Sequence, residues 1–154
     1  MGLLQQPEVQ VQSVAVKSFK PPHVQWVAIS ISSGQAISIR NLRRFWGRFY
    51  EFRNMEEEMS GASIMQQTTE GGGRIFVGAC GRSATSTGLA GLIDLFDGDK
   101  IVCSIQWDCP WGAVRDNRLS CTKYAENYHV QIKGANLGRG PLGNVEVHIS
   151  KLFC

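Results

Sequence analysis

The sequence predicts an all-β protein, folded as a single-domain, two-sheet antiparallel β-sandwich. Apolar and polar side chains alternate with a period of two, and glycine-rich turns separate the alternating segments. No segment combines a 3.6-residue apolar period with helix-capping residues. Several short strands at regular spacing are typical of a sandwich or a barrel. With 154 residues, of which 43% are hydrophobic, the chain is long enough to bury a core without metal ions or disulfides.

Six segments carry the clearest alternation, and each is expected to form a strand with one buried face. In chain order, their buried positions are expected to be Val27, Ile29 and Ile31; Ile37 and Ile39; Ile75, Val77 and Ala79; Ile101, Cys103, Ile105 and Trp107; Tyr128, Val130 and Ile132; Val145, Val147 and Ile149. Asp97-Gly98-Asp99 separates Leu92–Phe96 from Lys100–Trp107. This triplet predicts a hairpin with a two-residue turn, because Gly tolerates the positive φ that such turns require.

We predict three regions along the chain. Residues 1–23 form an N-terminal extension that is either an added edge strand or a loose tail, residues 24–150 form the sandwich, and residues 151–154 form a short C-terminal tail. Arg53–Met59 contains three consecutive Glu residues, and we interpret it as a solvated loop, with one helical turn as the alternative.

Composition excludes several classes of protein. The net charge of +3 is too small to indicate a nucleic-acid-binding face by itself, and no run of 18 apolar residues exists that would span a bilayer. Met1–Gln6 lacks the basic and apolar regions of a signal peptide. We therefore expect a soluble protein that stays in the cytoplasm or is exported by a non-signal route. The five Cys residues form no Cys-x-x-Cys pair, which argues against a zinc site and a complete disulfide framework.

The sequence offers little support for catalysis, and we predict a protein without enzymatic activity or a cofactor. Gly138–Gly143 matches the letters of a dinucleotide-binding motif, but a strand follows it where that motif needs a helix. The hydroxyl groups in residues 83–87 have no base beside them in sequence. His129 and His148 lie on the polar faces of two predicted strands, where a surface pair is expected and a metal or catalytic pair is the alternative.

The aromatic residues are the most informative feature. All four Trp residues lie near strand ends or turns, and Trp46 lies within Arg43–Tyr50, where Arg side chains and aromatic rings are interleaved. Trp suits a water–lipid boundary, because its ring is apolar and its N–H is polar, while Arg attracts phosphate oxygens. Trp107 is in phase with core positions, whereas Trp111 follows Pro110 in a turn and is expected to be exposed. The pattern alone predicts a β-sandwich with an aromatic ligand-binding edge.

Five segments give the chain a resemblance to a known family. They are Gln25-Trp26-Val27; Trp46-Gly47; Ala79-Cys80-Gly81-Arg82-Ser83 with the Gly and Asp residues that follow up to Gly98; Trp107-Asp108-Cys109-Pro110-Trp111-Gly112; and Leu142-Gly143 with Val145 and Val147. In order and spacing, over roughly residues 24–150, the chain resembles the aegerolysins, which are small β-sandwich proteins.

This resemblance implies a membrane-lipid-binding protein that recognises sphingolipid head groups, with or without sterol, and that serves as the lipid-recognition component of a pore-forming cytolysin. The implied protein partner is larger and has a perforin-like fold. A sugar- or nucleic-acid-binding module that uses the same Trp and Arg surface is the alternative, with nucleic acid not favoured. The candidate lipid-binding residues are Trp26, Trp46, Arg82, Ser83, Thr87, Trp107, Asp108, Trp111 and Arg115.

We expect Trp46 and Trp111 to insert into the interface, Asp108 to contact an ammonium group, and Arg82 or Arg115 to contact a phosphate. Two departures from the family pattern bear on lipid preference. Ala84–Thr87 contains no acidic residue, and Val114 stands where relatives often carry Lys, with Arg115 next to it.

Overall fold

The computed structural model describes residues 7–13, 25–81, 88–113 and 115–152, and in these ranges it contains eleven strands and one short α-helix. The strands form one sheet of seven and one sheet of four, which confirms the predicted two-sheet sandwich. Their bounds are β1 Val11–Ser13, β2 Trp26–Ser33, β3 Ile37–Trp46, β4 Arg48–Glu51, β5 Asn54–Met59, β6 Ile75–Cys80, β7 Leu89–Asp97, β8 Lys100–Cys109, β9 Arg118–Lys123, β10 Tyr128–Ala135 and β11 Gly143–Lys151.

The larger sheet has the strand order β1-β10-β11-β2-β6-β4-β5. Its pairs are antiparallel except for β1 with β10 and β11 with β2, which are parallel. The expected antiparallel arrangement therefore holds for most of this sheet but not for these two pairs. A period of two is the same in parallel and antiparallel strands, so the sequence pattern does not reveal strand direction.

The smaller sheet has the order β3-β7-β8-β9 and is antiparallel throughout. The predicted hairpin between β7 and β8 is confirmed. Asp97 pairs with Lys100, which leaves Gly98 and Asp99 as the turn, and Gly98 has a φ of 61°. The positive φ explains why Gly occupies this position.

The hydrophobic core lies between the two sheets and is formed by the inward-facing residues of both. Val27, Ile29 and Ile31 of β2 are fully buried, as are Cys103 and Ile105 of β8. Each large aliphatic side chain buried in this way stabilises the fold by roughly 1.5–3 kcal/mol. Truncation of Ile105 to Ala is therefore expected to destabilise the sandwich by about 2–5 kcal/mol, because it also leaves a cavity.

The interpretation of Arg53–Met59 as a solvated loop is wrong, and so is its helical alternative. Asn54–Met59 forms β5, which pairs with β4 and lies at the edge of the larger sheet. Its three Glu side chains are exposed. An edge strand with little burial needs no apolar alternation, and charges along it discourage pairing with other chains.

The short helix α1, Gly61–Met65, has no counterpart in the sequence prediction. The backbone N–H of Ser63 donates to Oγ of the N-cap Ser60 at 3.1 Å. Five residues are too few to show a helical period. Among the described residues, no helix combines the length and apolar character needed to cross a membrane.

The described part of the N-terminal extension, residues 7–13, contacts both sheets. Val11–Ser13 pairs with β10 of the larger sheet. Glu8 forms a bridge with Thr122 of β9, and the backbone N–H of Val9 donates to the Cys121 carbonyl at 2.9 Å. This segment thus covers one edge of the sandwich. Val14 and Val16 lie outside the described residues.

Candidate functional site

A cavity of about 610 Å³ lies at one end of the smaller sheet. Strand pairing brings the end of β3, the start of β7 and the end of β8 together there, because Trp46 pairs with Ala90 and Leu89 pairs with Cys109. We call this space the aromatic cavity. Its lining includes Phe45, Trp46, Gln106, Trp107, Asp108, Pro110, Trp111 and Arg115.

A β-bulge explains why two adjacent aromatic residues are both exposed at this cavity. The register of β3 against β7 shifts between Arg44 and Trp46. In a regular strand, neighbouring side chains point to opposite faces, whereas a bulge inserts an extra residue and changes that alternation. Phe45 is 48% exposed and Trp46 is 59% exposed. The bulge therefore places two large rings at the mouth of the cavity.

Trp111 reaches the cavity from the turn after β8, and at 49% exposure it confirms the prediction that this ring is exposed. Two close contacts hold the turn. Nε2 of Gln25 donates to the Pro110 carbonyl at 2.8 Å. Gly88 approaches so closely that a Cβ atom there would lie 2.1 Å from the Cys109 carbonyl oxygen and 2.7 Å from the Trp111 nitrogen. Only Gly at position 88 permits this contact.

Trp107 lines the aromatic cavity from within the core. It is 1% exposed and packs in the main apolar cluster, which confirms the interpretation of this residue as core. A buried ring cannot enter a lipid surface without unfolding of the sheet, so its contribution is to support the cavity wall. Its indole Nε1 has no hydrogen-bond partner among the described residues.

The charges at the cavity form an ion pair. Nη2 of Arg115 lies 3.0 Å from Oδ2 of Asp108, and the two side chains are 53% and 33% exposed. Because both groups face solvent, screening keeps the pair weak and a ligand with complementary charges can compete for either partner. Cys109 also lines the cavity, and burial raises the pKa of its thiol to about 12. This thiol is therefore protonated near neutral pH and unreactive as a nucleophile.

The structure brings together five of the nine predicted site residues, Trp46, Trp107, Asp108, Trp111 and Arg115. Trp26 lies at the same end of the molecule, where it pairs with Cys80, but it is on the outer face of the larger sheet and does not line the cavity. Arg82, Ser83 and Thr87 lie outside the described residues, as do Ala84–Ser86 and Val114.

Phe45 and Gln106 line the cavity but are not among the predicted site residues. Phe45 lies within the interleaved Arg and aromatic run, and its exposure depends on a bulge that the sequence does not signal. Gln106 occupies an outward-facing position of β8 between the buried Ile105 and Trp107, so the alternation of that strand was a usable signal.

His129 and His148 occupy exposed positions on adjacent strands of the larger sheet. Gln131 pairs with His148 and His129 pairs with Ser150, so the two imidazoles are diagonal neighbours on one face. Nδ1 of His148 lies 2.9 Å from Oγ of Ser32. Within residues 7–13, 25–81, 88–113 and 115–152, no three His, Cys, Asp or Glu side chains are grouped as a metal site would require. The arrangement fits the predicted surface pair.

Comparisons with known proteins agree with the two-sheet fold. A model of the aegerolysin family matches residues 24–152. Asp-hemolysin from Aspergillus fumigatus is 33% identical over 132 residues, which cover 84% of this chain and 94% of that protein. Ostreolysin A6 from Pleurotus ostreatus is 31% identical over 134 residues, covering 84% and 96% of the two chains. Among solved structures, the RahU protein in complex with a Tris molecule superposes with a TM-score of 0.78 at 26% identity, over 84% of this chain and 97% of RahU.

Proposed function

This chain belongs to the aegerolysin family, and from that premise we propose that it is a hemolysin-like, lipid-binding protein that docks the aromatic cavity on a membrane surface. One observation carries the proposal. Three exposed aromatic rings surround a cavity of about 610 Å³ that also holds an ion pair. Apolar rings and a few convergent polar groups are the usual composition of a ligand site. We propose a binding function and not a catalytic one.

The exposed rings would supply most of the affinity. Burying one large apolar side chain fully is worth roughly 1.5–3 kcal/mol. Phe45, Trp46 and Trp111 are each about half exposed in the folded protein, so each retains part of this energy for insertion. Micromolar binding requires about 8 kcal/mol. Three partly inserted rings together with head-group contacts reach that range, which is sufficient for reversible docking.

The ion pair favours a zwitterionic head group. Asp108 would accept an ammonium and Arg115 would hold a phosphate, so the lipid would replace one internal ion pair with two intermolecular ones. An anionic lipid would leave Asp108 facing a negative charge. Phosphocholine and phosphoethanolamine head groups both satisfy this arrangement, and we propose a sphingolipid such as sphingomyelin or ceramide phosphoethanolamine, with sterol.

Sedimentation with liposomes tests this proposal. The series is phosphatidylcholine alone, sphingomyelin with sterol, and ceramide phosphoethanolamine with sterol, at physiological salt. We expect selective binding to one of the sphingolipid mixtures. Absence of binding to all three, or equal binding to all three, would contradict the proposed recognition of a sphingolipid head group.

We also propose that this chain acts with a larger perforin-like protein that forms the pore. The aromatic cavity provides a docking surface, and no helix of the described residues is suited to cross a bilayer. Vesicles that trap a fluorescent dye test the proposal. We expect this protein alone to bind the vesicles without dye release. Dye release by this protein alone would contradict the proposal that a separate, larger protein forms the pore.

A further inference from the structure

We propose that the outer face of the smaller sheet binds a neutral sugar at a site distinct from the aromatic cavity. A trough of about 300 Å³ crosses this face. We call it the sheet trough and define it by Asn41, Arg43, Asp94, Ser104, Ser120 and Tyr124. This inference goes beyond lipid binding and does not depend on it.

The strand register builds the trough from cross-strand rows of mostly polar side chains. Asn41 pairs with Asp94, Asp94 with Ser104, and Ser104 with Thr122, so one row spans all four strands. The next row contains Arg43, Leu92, Gln106 and Ser120. With strands about 4.8 Å apart, each row extends about 15 Å across the sheet. All of these residues occupy outward-facing positions, and all except Leu92 are polar or charged.

A carboxylate is held in place at the centre of the first row. Nδ2 of Asn41 donates to Oδ2 of Asp94 at 2.9 Å, and the Ser104 hydroxyl donates to Oδ1. These contacts fix the orientation of the Asp94 carboxylate and leave each oxygen with a further lone pair. A fixed acceptor of this kind binds a hydroxyl with little loss of side-chain entropy.

Other hydrogen-bonding groups of the trough are not used within the described part of the chain. The side chains of Arg43, Gln106, Ser120 and Thr122 make no hydrogen bond there. They supply guanidinium, amide and hydroxyl groups, so the trough presents donors and acceptors close together. A sugar hydroxyl both donates and accepts, and a ring that carries several hydroxyls matches such a mixed surface.

Charge, aromatic content and size also favour a neutral sugar. Arg43 and Asp94 are the two charged residues that line the trough, and their charges cancel, which gives no preference for an anionic phosphate or a nucleic acid backbone. Tyr124, at 39% exposure, offers apolar ring area to the C–H face of a sugar. The volume suits one sugar ring, and a lipid chain in the trough would cover the charged groups of Arg43 and Asp94 without satisfying them.

The trough adjoins the aromatic cavity. Phe45 and Gln106 line both of them. A protein docked through the aromatic cavity would therefore present the trough to sugars that stand on the same membrane, whether they are carried by lipid or by protein.

A glycan array of neutral and acidic sugars, without lipid, tests the proposal directly. We expect at least one neutral glycan to bind. The double variant Ser120→Ala, Tyr124→Ala should weaken that binding about tenfold, which corresponds to losing one hydrogen bond and one ring contact. Both residues are at the surface and neither lines the aromatic cavity, so the variant should still sediment with sphingolipid vesicles.

The matched control is Trp46→Ala, because Trp46 lines the aromatic cavity and does not line the trough. It should bind the glycan as the wild type does. Binding to no neutral glycan would overturn the proposal, and so would glycan binding that Trp46→Ala abolishes and the trough variant retains. Because the array contains no lipid, failure of sugar binding and failure of lipid binding are separate results. Vesicles that carry a neutral glycosylceramide then distinguish a lipid-borne sugar from a protein-borne one.

Discussion

Trp46 and Phe52 are equally exposed, at 59% each, yet they occupy different surroundings. The Phe52 ring packs edge-on against Phe76, with ring centroids 5.0 Å apart, and the Arg53 guanidinium lies 4.9 Å above its centroid. Trp46 instead lines a cavity that contains two further exposed rings and an ion pair. We call the surface formed by Phe52, Arg53 and Phe76 the Phe52 patch and compare it with the aromatic cavity.

The comparison shows that exposure of a large ring does not by itself identify a binding site. Single exposed aromatic residues are common on protein surfaces and require no functional explanation. Concave shape and convergent charged groups distinguish the aromatic cavity. If this distinction is correct, removal of rings from the two regions must have different consequences for membrane binding.

The largest expected effect is the loss of vesicle binding in the double variant Trp46→Ala, Trp111→Ala. Removing two rings worth about 3 kcal/mol or more in total should weaken binding by roughly a hundredfold or more. Both side chains are at the surface, so the fold should persist, as circular dichroism would show. Phe52→Ala is the matched control and should bind sphingolipid vesicles like the wild type. Equal loss in the control would mean that the cavity has no special role.

The second effect concerns the shape of the cavity. Gly88→Ala would place a Cβ atom 2.1 Å from the Cys109 carbonyl oxygen, so the turn that carries Trp111 must move. We expect destabilisation of about 3 kcal/mol, a decrease in Tm of roughly 6 °C or more, and weaker vesicle binding. Gly34→Ala is the control, because nothing lies within 4 Å of a Cβ atom there. A Gly88→Ala protein with wild-type stability would contradict the close contact.

The third effect concerns the ion pair and should be smaller. Arg115→Gln should weaken binding to zwitterionic sphingolipid vesicles about tenfold, because it removes one contact to phosphate. Asp108→Asn should instead shift binding towards anionic phosphatidylserine vesicles, because it leaves Arg115 as the uncompensated charge. Sedimentation with both vesicle types measures the two shifts. If the two variants respond alike, the assignment of ammonium to Asp108 and phosphate to Arg115 fails.

The smallest effect is expected in the chemical modification of Cys109. Burial raises the pKa of this thiol to about 12, above that of an exposed thiol, so the thiolate form appears only in strongly alkaline solution. The folded protein should therefore resist alkylation of Cys109 by iodoacetamide at pH 8, as peptide mass spectrometry would show. Rapid modification at pH 8 would indicate that the cavity wall opens in solution.

The fold was predictable where one face of a strand is buried. Alternation in β2, and in β8 from Cys103 to Trp107, arises because inward positions enter the core. At the start of β8 the prediction of a buried Ile101 is wrong, because the register shift against Leu95 and Phe96 buries Val102 and leaves Ile101 only partly buried. Edge strand β5 was not predictable, because neither of its faces is buried enough to impose alternation. The parallel pairing of β2 with β11 was also not predictable, because it depends on contacts between residues more than a hundred positions apart.

The candidate site was partly predictable for a similar reason. Trp111 follows Pro110 in a turn, and local sequence therefore indicates its exposure. The exposure of Phe45 depends on a bulge, and the ion pair of Asp108 with Arg115 depends on the path of the turn between β8 and β9. Trp26 lies on the outer face of the larger sheet because of how β2 pairs with β6. The spacing of the Trp residues in the sequence does not indicate this position.

Quenching of tryptophan fluorescence by brominated lipids tests most directly whether the aromatic cavity docks on the membrane. The vesicles contain sphingolipid and sterol with bromine on the acyl chains. The wild type should be strongly quenched on binding. The double variant Trp46→Phe, Trp111→Phe keeps large rings in place, so it should still bind but lose most of the quenching. Undiminished quenching in this variant would leave Trp26 or Trp107 as the residues near the lipid, and would contradict docking through the aromatic cavity.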